Sequence, residues 1–347
     1  MKRVVFFLQG QRVPAARARG FEIARRLEAS GVRCALRVAR PSVYGDTRLP
    51  GWLARPRALY SLAAVAGRGL ALRGLEADDL VFFQRPMVEL PFTFFERRAA
   101  RGRPSVFDFD DAIYLNRFGQ TKLRALVSLA DAVIAGNRTL ADAAGAPEKT
   151  TLIPTAVDTD RLLPTPTRPA RGREVVLGWT GLASNYRQLL EARVGIGRAL
   201  ERTGARLLVI SDRPPPPALA SLRTEFRLWH PDTEARDLAD MDIGLMPLPD
   251  QPYARGKCAY KLLQYMALGI PGVASPVGAN CDVVTDGLDG FLPADAQAWE
   301  STLVRLIANP ALRAEVGAAA RNRVLAGFSY QAVLPRYLEI LTRLGAG

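Results

Sequence analysis

The sequence is poor in the residue types that build disulfide frameworks and metal centres. Its 347 residues include only three cysteines and one histidine. Cys34, Cys258 and Cys281 lie far apart along the chain, which argues against a disulfide scaffold and against a cysteine-based zinc site. A single histidine, His230, excludes a centre with several histidine ligands.

Long apolar runs are missing as well. No stretch reaches the about 18 uninterrupted apolar residues that a membrane-spanning helix needs. The run that follows MKR at the start has five apolar residues, VVFFL, which is too short for a signal peptide. We therefore expect a soluble cytoplasmic protein, with peripheral attachment to the inner face of a membrane as an alternative.

Positive charge is abundant, but it is unevenly distributed. Residues 1–173 contain 29 Lys+Arg and 16 Asp+Glu, whereas residues 174–347 contain 18 of each, so the whole net charge of +13 lies in the first half. Of the 47 basic residues 42 are arginines, and a coding bias explains that preference but not the asymmetry. The asymmetry indicates an anionic partner: nucleic acid, an anionic membrane or a phosphorylated substrate.

Short apolar runs alternate with helical patterns along both halves, which predicts parallel sheets built from βαβ units. A Pro- and Arg-rich segment, 162–173, reads as a linker. The sequence therefore predicts an α/β protein with two Rossmann-like domains that face a cleft. The predicted strands cover residues 3–8, 32–38, 80–83, 105–107, 132–135 and 151–153, then 175–179, 207–211, 242–246 and 272–275. The predicted helices of the second half cover residues 186–201, 297–308, 310–326 and 330–344.

Ligands in open parallel sheets bind where the strands end, so the residues that follow each strand are candidates. After the first strand comes GQRVPAARARG, with Gln11, Arg17 and Arg19 near the start of a helix. Arginines at such a place favour phosphate or another anion. Exposed helix arginines without a ligand are the alternative.

The segment FDFDDAI places three carboxylates at the end of another strand. Asp108, Asp110 and Asp111 repel one another there, which raises the pKa of a carboxyl group. They are candidates for a metal ligand, for a partner of an acceptor hydroxyl or for a general base. The alternative is that Asp110 or Asp111 caps the next helix.

Two of the five lysines lie four residues apart in the segment 242–278. A helix over 257–268 would present Lys257 and Lys261 on one face near its N-terminus, with Tyr260 or Gln264 beside them. Gly256 would let a ligand approach the backbone, and the helix N-terminus favours an anion. This combination suits a diphosphate; solvated helix lysines are the alternative.

Several well-known motifs are missing from the chain. It has no GxGxxG fingerprint after a strand, no GxxxxGK[ST] loop and no GxSxG elbow. It also lacks the interleaved aromatic and basic pattern of an RNA-binding face, so no nucleic-acid partner is expected. His230 follows Trp229 at a predicted strand end. It is either a loop histidine without a ligand or a ligand contact, and the sequence leaves both alternatives open.

Seven segments in their familiar order resemble the retaining glycosyltransferases of family four, which have the GT-B fold. The resemblance covers nearly the whole chain, and its segments are AVIAGNRTLADAA (132–144), TTLIPTAVDTDRL (150–162), VLGWTG (176–181), ADMDIGLMPL (239–248), KLLQYMALGIPGVASPVG (261–278), GLDGFL (287–292) and WESTLVRLIANPALRAEVGAAARNRV. It implies an acceptor-binding domain over 1–163, joined by a returning helix at 330–347, and a nucleotide-sugar domain over 174–329. It also implies a metal-independent transferase without a cofactor.

One departure from the family pattern concerns its two glutamates, which are separated by seven residues. Gln264 and Gly256 stand at those places, and the usual catalytic-region histidine of the first domain is absent. The chain instead resembles a subset with GKxxxKLLQYMA and FDFDDAI segments. The departure motivates an alternative function, a catalytically degenerate protein that binds a sugar nucleotide or a polysaccharide.

By the logic of the resemblance, the residues divide into three groups. Catalysis falls to Asp110, Lys261 and Lys257. The donor, a UDP-, GDP- or other nucleotide-diphosphate sugar, would contact Gly178, Thr180, Gly181, Arg187, Trp229, His230, Gly256, Lys257, Tyr260, Lys261 and Gln264. The acceptor would contact Gln11, Arg17, Arg19, Asp108, Asp110 and Asp111. An envelope glycan, a lipid-linked saccharide or another anionic acceptor suits the basic half, and the segment 54–75 is a candidate amphipathic docking helix.

Overall fold

The computed structural model describes residues 2–11, 13–39, 65–88, 90–164 and 174–346. Most of the predicted linker, 165–173, and the first half of the candidate docking helix, 54–64, lie outside the described residues. Residues 65–71 are helical.

The chain divides into two compact units, which are described separately. The first unit contains Met1–Thr155 together with Val333–Gly347, and the second contains Ala156–Ala332. The last helix, Tyr330–Arg343, therefore starts in the second segment and continues as part of the first unit.

The first unit contains a six-stranded sheet in the order β2-β1-β3-β4-β5-β6, in which every pairing is parallel. Its strands are β1 (Val4–Leu8), β2 (Cys34–Val38), β3 (Leu80–Gln84), β4 (Ser105–Phe109), β5 (Ala132–Ala135) and β6 (Thr150–Leu152). The strands β1, β3, β4 and β5 are buried along their whole length, as expected for a parallel sheet with apolar runs and helices on its faces. Its helical segments are Pro14–Ala16, Arg17–Phe21 (a π-helical turn), Glu22–Ala29, Phe94–Ala100, Ile113–Leu115 (a 3₁₀ turn), Gly119–Leu129 and Arg138–Ala144.

The second unit contains a five-stranded parallel sheet in the order β11-β10-β7-β8-β9. Its strands are β7 (Val176–Thr180), β8 (Arg206–Ser211), β9 (Thr224–Leu228), β10 (Ile243–Met246) and β11 (Gly272–Ala274). Its helical segments are Ala183–Asn185 (a 3₁₀ turn), Tyr186–Glu191, Arg193–Thr203, Pro217–Ala220, Glu234–Leu238, Pro252–Arg255, Tyr260–Ala267, Ala279–Val283, Ala296–Ala308 and Pro310–Gly327.

Alternate residues of the central strands feed two separate cores in the second unit. Val176 and Leu208 belong to one buried cluster, whereas Leu177 and Leu207 belong to the other. This division follows from the two-residue period of a strand, which sends neighbouring side chains to opposite faces of the sheet. Both faces are therefore covered, and the ends of the strands are left for ligands.

The predicted fold class is confirmed, because both sheets are parallel and carry helices. Two details differ from the prediction. The helix expected over 186–201 is interrupted at Ala192, which divides it into Tyr186–Glu191 and Arg193–Thr203. The strand β9 was not predicted, because the sequence TEFRL lacks an apolar run.

Within the described residues, none of the helices is both long enough and apolar enough to cross a membrane.

The helix Pro310–Gly327 packs closely on the turn that follows Tyr260–Ala267. A Cβ atom on Gly317 would overlap the carbonyl oxygen of Gly269, whereas nothing lies within 4 Å of a Cβ on Gly327. We expect Gly317→Ala to lower the free energy of unfolding by about 1–3 kcal/mol because backbone atoms must separate.

Gly327→Ala in the same helix is the matched control and should be neutral or slightly stabilising. Urea unfolding of both variants measures the difference. Equal stabilities would show that the turn at Gly269 yields without strain.

Candidate functional site

The first part of the candidate site lies where β7 ends, at Thr180 and Gly181. The Thr180 N–H donates a hydrogen bond of 3.0 Å to the hydroxyl oxygen of Tyr265, which fixes the backbone of this turn from the neighbouring helix. A Cβ on Gly181 would lie 2.8 Å from the Trp179 ring and 3.2 Å from the Lys261 Nζ. Only glycine therefore allows the turn to approach the lysine so closely.

Lys261 is the positive centre of this part of the site. Its Nζ lies 4.6 Å from the centre of the Trp179 ring, and no carboxylate lies within ion-pair distance of it among the described residues. Burial, and then the positive charge of Lys257, lower the pKa of Lys261 to about 7. The ring attracts the ammonium group without neutralising its charge, so an incoming anion finds the charge uncompensated.

The position of Lys257 corrects one prediction. The helix begins at Tyr260 and not at 257, because Ala259, just before it, has a left-handed backbone with φ 51°. Lys257 lies in the loop that precedes this helix, and its Nζ is 4.8 Å from the centre of the Tyr253 ring. A loop, not a helix face, therefore brings the two lysines near each other.

Gln264 lies on the same helix, three residues after Lys261. The residue is 3% exposed, yet its side-chain amide makes no hydrogen bond to a described residue. Its amide atoms are not among the fully buried polar atoms that lack a partner, so water reaches them, and a polar ligand group can take the place of that water. Tyr260, one turn earlier, is partly buried against the core.

The structure describes two of the glycines that were expected at the donor site differently from the prediction. Gly178 is buried inside β7, where a Cβ would overlap the side chain of Met241, so it is a packing glycine and not a contact for a ligand. Gly256 ends the helix Pro252–Arg255 with an ordinary φ of −79° and is buried. Its glycine identity is therefore not required by the backbone conformation.

Three further donor candidates lie on other elements than the two lysines. Trp229 and His230 follow β9, which is two strands from β7 and therefore about 10 Å away across the sheet. The indole N–H of Trp229 donates to Glu234 at 3.0 Å, and the exposed His230 lies beside Asp232. Arg187 is exposed on the helix Tyr186–Glu191.

In the first unit, the structure contradicts the acceptor role expected for Arg19 and Asp108. Both side chains are buried and paired, with 2.6 Å between Arg19 Nη2 and Asp108 Oδ2. Arg19 also donates to the carbonyl of Ile153 at 2.9 Å, and the hydroxyl of Tyr337 approaches Asp108 Oδ2 at 3.5 Å. Burial lowers the pKa of Arg19, but Asp108 and Tyr337 outweigh burial and raise it well above the usual range. The pair joins β4, the end of β6 and the last helix.

Asp110 and Asp111 are held by an arginine that the sequence pattern did not reveal. Arg85 Nε lies 2.7 Å from Asp110 Oδ1, and Arg85 Nη2 lies 3.5 Å from Asp111 Oδ2. Arg85 has φ 63°, a left-handed conformation that is rare for a residue other than glycine, and its N–H donates to the Asp108 carbonyl. Such strain occurs often at functional sites. In the sequence, the signal that could have identified Arg85 was its position between an apolar strand and Pro86.

Gln84, the last residue of β3, was also missed. It is fully buried, pairs in register with Asp108, and neither its side-chain oxygen nor its nitrogen has a hydrogen-bond partner among the described residues. A glutamine that ends an apolar strand was the signal in the sequence. Of the other expected acceptor contacts, Gln11 is exposed and Arg17 is partly buried at the start of the π-helical turn.

Among the described residues the three aspartates form no metal-ligand cluster, and Asp111 accepts a hydrogen bond of 3.0 Å from the N–H of Ala112, directly before the next turn. In the described part of the chain, the acidic cluster with metal-ligand spacing is Glu76, Asp78 and Asp79. This cluster precedes β3 and so lies where the strands begin, whereas the three aspartates lie where β4 ends. The 3₁₀ turn Ile113–Leu115 has no side-chain cap.

Residues 175–309 match the family model described as glycosyl transferases group 1. These residues form a group 1 glycosyltransferase domain. The match covers the second sheet together with the helix that carries Lys261 and Gln264.

Solved structures support the GT-B fold over the whole chain. The Anabaena protein HepE, solved with UDP-glucose, is 18% identical with a TM-score of 0.73, and the alignment covers 99% of this chain and 100% of HepE. Sucrose-phosphate synthase from Thermosynechococcus elongatus is 16% identical with a TM-score of 0.73, and all of both chains is covered. The fold and the group 1 domain are those of glycosyltransferases.

A curated relative matches over a shorter segment. Trehalose synthase from Pyrococcus horikoshii is 35% identical over 77 residues, which are 22% of this chain and 19% of that protein. The chain thus spans about a fifth of the length of the curated relative that it matches.

The buried pair of Arg19 and Asp108 generates a test of stability. Asp108→Asn leaves the charge of Arg19 buried without its counter-ion, and breaking such a pair costs about 3–5 kcal/mol. We expect a loss of that order in the free energy of unfolding, measured with urea.

Glu22→Gln is the control, because Glu22 pairs with Arg25 and Arg26 at the surface and its loss should cost at most about 1 kcal/mol. Equal effects of both substitutions would contradict a structural role for the buried pair.

Proposed function

We propose that the protein is a retaining, metal-independent glycosyltransferase that moves a sugar from a nucleotide-diphosphate donor. The observation that carries this proposal is the uncompensated positive charge of Lys261 beside Gly181. A site that holds a partly buried cation without a carboxylate favours a ligand with several negative charges, such as a diphosphate.

Different residues would contact different groups of the donor. The two lysines would neutralise the diphosphate as it leaves, which stabilises the charge that develops in the transition state. The amide of Gln264 would hydrogen-bond the ribose, where the family has a glutamate. Thr180 and Gly181 would approach the sugar or the phosphates, and Arg187, Trp229 and His230 stay candidates for the nucleotide. Retention of configuration rests on the resemblance to the family alone.

Acceptor binding falls to the first unit in this proposal. Asp110 and Asp111 would accept a hydrogen bond from the acceptor hydroxyl, and Arg85 would position both carboxylates. Gln11 and Arg17 are the remaining candidates for an anionic group of the acceptor. The basic excess of the first half favours an envelope glycan, a lipid-linked saccharide or another anionic acceptor, in polysaccharide biosynthesis.

A second candidate is a protein of the same fold that binds a sugar nucleotide without turnover. Gln264 and Gly256 favour this second candidate, because neither residue carries the negative charge of the glutamates that the family has at these places. Hydrolysis of UDP- and GDP-sugars by the purified protein separates the two candidates. Donor binding without hydrolysis or transfer, on every acceptor tried, favours the second.

Removing either lysine tests the diphosphate site. We expect Lys261→Ala and Lys257→Ala each to weaken UDP or GDP binding at least tenfold, because a charge-assisted contact contributes about 1.5–3 kcal/mol. Isothermal titration measures the affinity. Thermal melting should change little for Lys257, which lies in a loop.

Arg193→Ala is the matched control, since it removes an exposed positive charge from the same unit. Its nucleotide affinity should equal that of the unmodified protein. A lysine variant that bound as tightly as this control would overturn the proposed site.

The lowered pKa of Lys261 predicts that nucleotide binding depends on pH. The ammonium form binds the anion, and bound diphosphate raises the pKa again, so binding takes up a proton at any pH above about 7. We expect UDP affinity to fall by up to about tenfold for each pH unit above that value.

Lys261→Arg is the control for this linkage, because an arginine stays protonated throughout the range. Titrations at pH 8 in two buffers of different ionisation enthalpy should show uptake of nearly one proton by the unmodified protein and almost none by Lys261→Arg. Equal proton uptake by both proteins would assign the linkage to another group.

A further inference from the structure

Four large apolar side chains are exposed in two neighbouring segments of the first unit, 91–98 and 113–124. They are Phe92, Phe94, Leu115 and Phe118, and Phe94 is 62% exposed. Single exposed apolar residues are common at protein surfaces, but several together indicate an interaction site. None of these residues has a role in the proposed chemistry.

Lys122 joins the two segments into one surface. Its Nζ donates to the carbonyl oxygen of Phe92 at 2.5 Å and lies 2.9 Å from Glu96 Oε1. Its backbone N–H donates to the carbonyl oxygen of Phe118 at 3.0 Å. One buried lysine therefore bonds the main chain of both segments, and we call the exposed apolar and arginine residues of the two segments the aromatic–arginine surface.

The exposed charges on this surface have one sign. The two segments contain five basic residues and one acidic residue, Glu96, which is buried against Lys122. Arg97 and Arg98 follow Phe94 by three and four residues on the helix Phe94–Ala100, which places them near Phe94 on the helix surface. Arg117 lies 5.2 Å from the centre of the Phe118 ring, and Arg124, which is also exposed, lies seven residues further along the chain.

We propose that the aromatic–arginine surface docks the protein on an anionic membrane. Exposed aromatic rings beside arginines match the two contributions to interfacial binding, which are burial of apolar area and attraction to anionic headgroups. A second copy of the chain fits less well, because a symmetric dimer would bring the arginines of both copies together.

The place of this surface links it to the acceptor. The turn Ile113–Leu115 begins two residues after Asp111, so the aspartate segment and the surface are continuous along the chain. The inference deepens the proposed function, because the acceptor named here is the one proposed above. A membrane-held acceptor would meet the protein next to Asp110 and Asp111. Membrane binding itself requires no turnover and can be measured separately.

Co-sedimentation of the full chain with lipid vesicles tests the proposal. We expect binding to phosphatidylcholine vesicles that contain phosphatidylglycerol, little binding to phosphatidylcholine alone, and a loss of binding at high salt. The double variants Phe94→Ser/Phe118→Ser and Arg97→Gln/Arg98→Gln should each lower partitioning about tenfold or more.

Leu288→Ser is the matched control, because Leu288 is 61% exposed in the second unit, and it should bind vesicles like the unmodified protein. No binding to phosphatidylglycerol vesicles, or equal binding by all variants, would overturn the proposal. So would a dimer in solution that the Phe94→Ser/Phe118→Ser variant dissociates, since a second copy would then cover the surface. UDP titration of the same samples tests the proposed function independently.

Discussion

The candidate donor site depends on one cation for which the described part of the chain supplies no carboxylate. Lys261 lies over the face of Trp179, beside Gly181 and near Lys257, and no described carboxylate pairs with it. Holding such a charge in a partly buried place destabilises the free protein, as the lowered pKa of Lys261 shows. The surrounding elements keep the lysine there: Gly181 leaves room for it, and Tyr265 fixes the turn from the same helix. An arrangement of this kind is stabilised when a polyanion binds.

The sequence predicted the fold well because the signals of a parallel sheet are local. Buried strands read as continuous apolar runs, and the rule that ligands bind at strand ends directed attention to Gly181 and to the aspartates. The strand β9 escaped prediction because it lies at a sheet edge and is only partly buried. Periodicity also could not show that the helix begins at Tyr260, since that start depends on the left-handed conformation of Ala259.

Partners distant in sequence account for most of what could not be predicted at the site. Arg19 and Asp108 were both recognised as candidates, but only the fold shows that these two residues, 89 positions apart in the sequence, form one buried ion pair. Arg85 was not recognised, because its hold on Asp110 depends on a strained backbone that composition does not reveal. Residue type and place identified candidates, whereas their division into structural and ligand-binding groups required the tertiary contacts.

The two units also show that net charge and local charge compensation are different quantities. The first half carries the entire excess of positive charge, yet two of its buried cations are paired with carboxylates: Arg19 with Asp108, and Lys122 with Glu96. The second half is neutral by count, and it contains the lysine for which no described carboxylate is a partner. A bound diphosphate interacts most strongly with charges a few ångströms away, because the Coulomb energy falls with distance and is largest in a partly buried site. A charged surface of many arginines acts through water over about a Debye length of 8–10 Å. The excess of the first half therefore suits the extended anionic partner that we propose, whereas the neutral half contains the single buried charge on which the proposed diphosphate site rests.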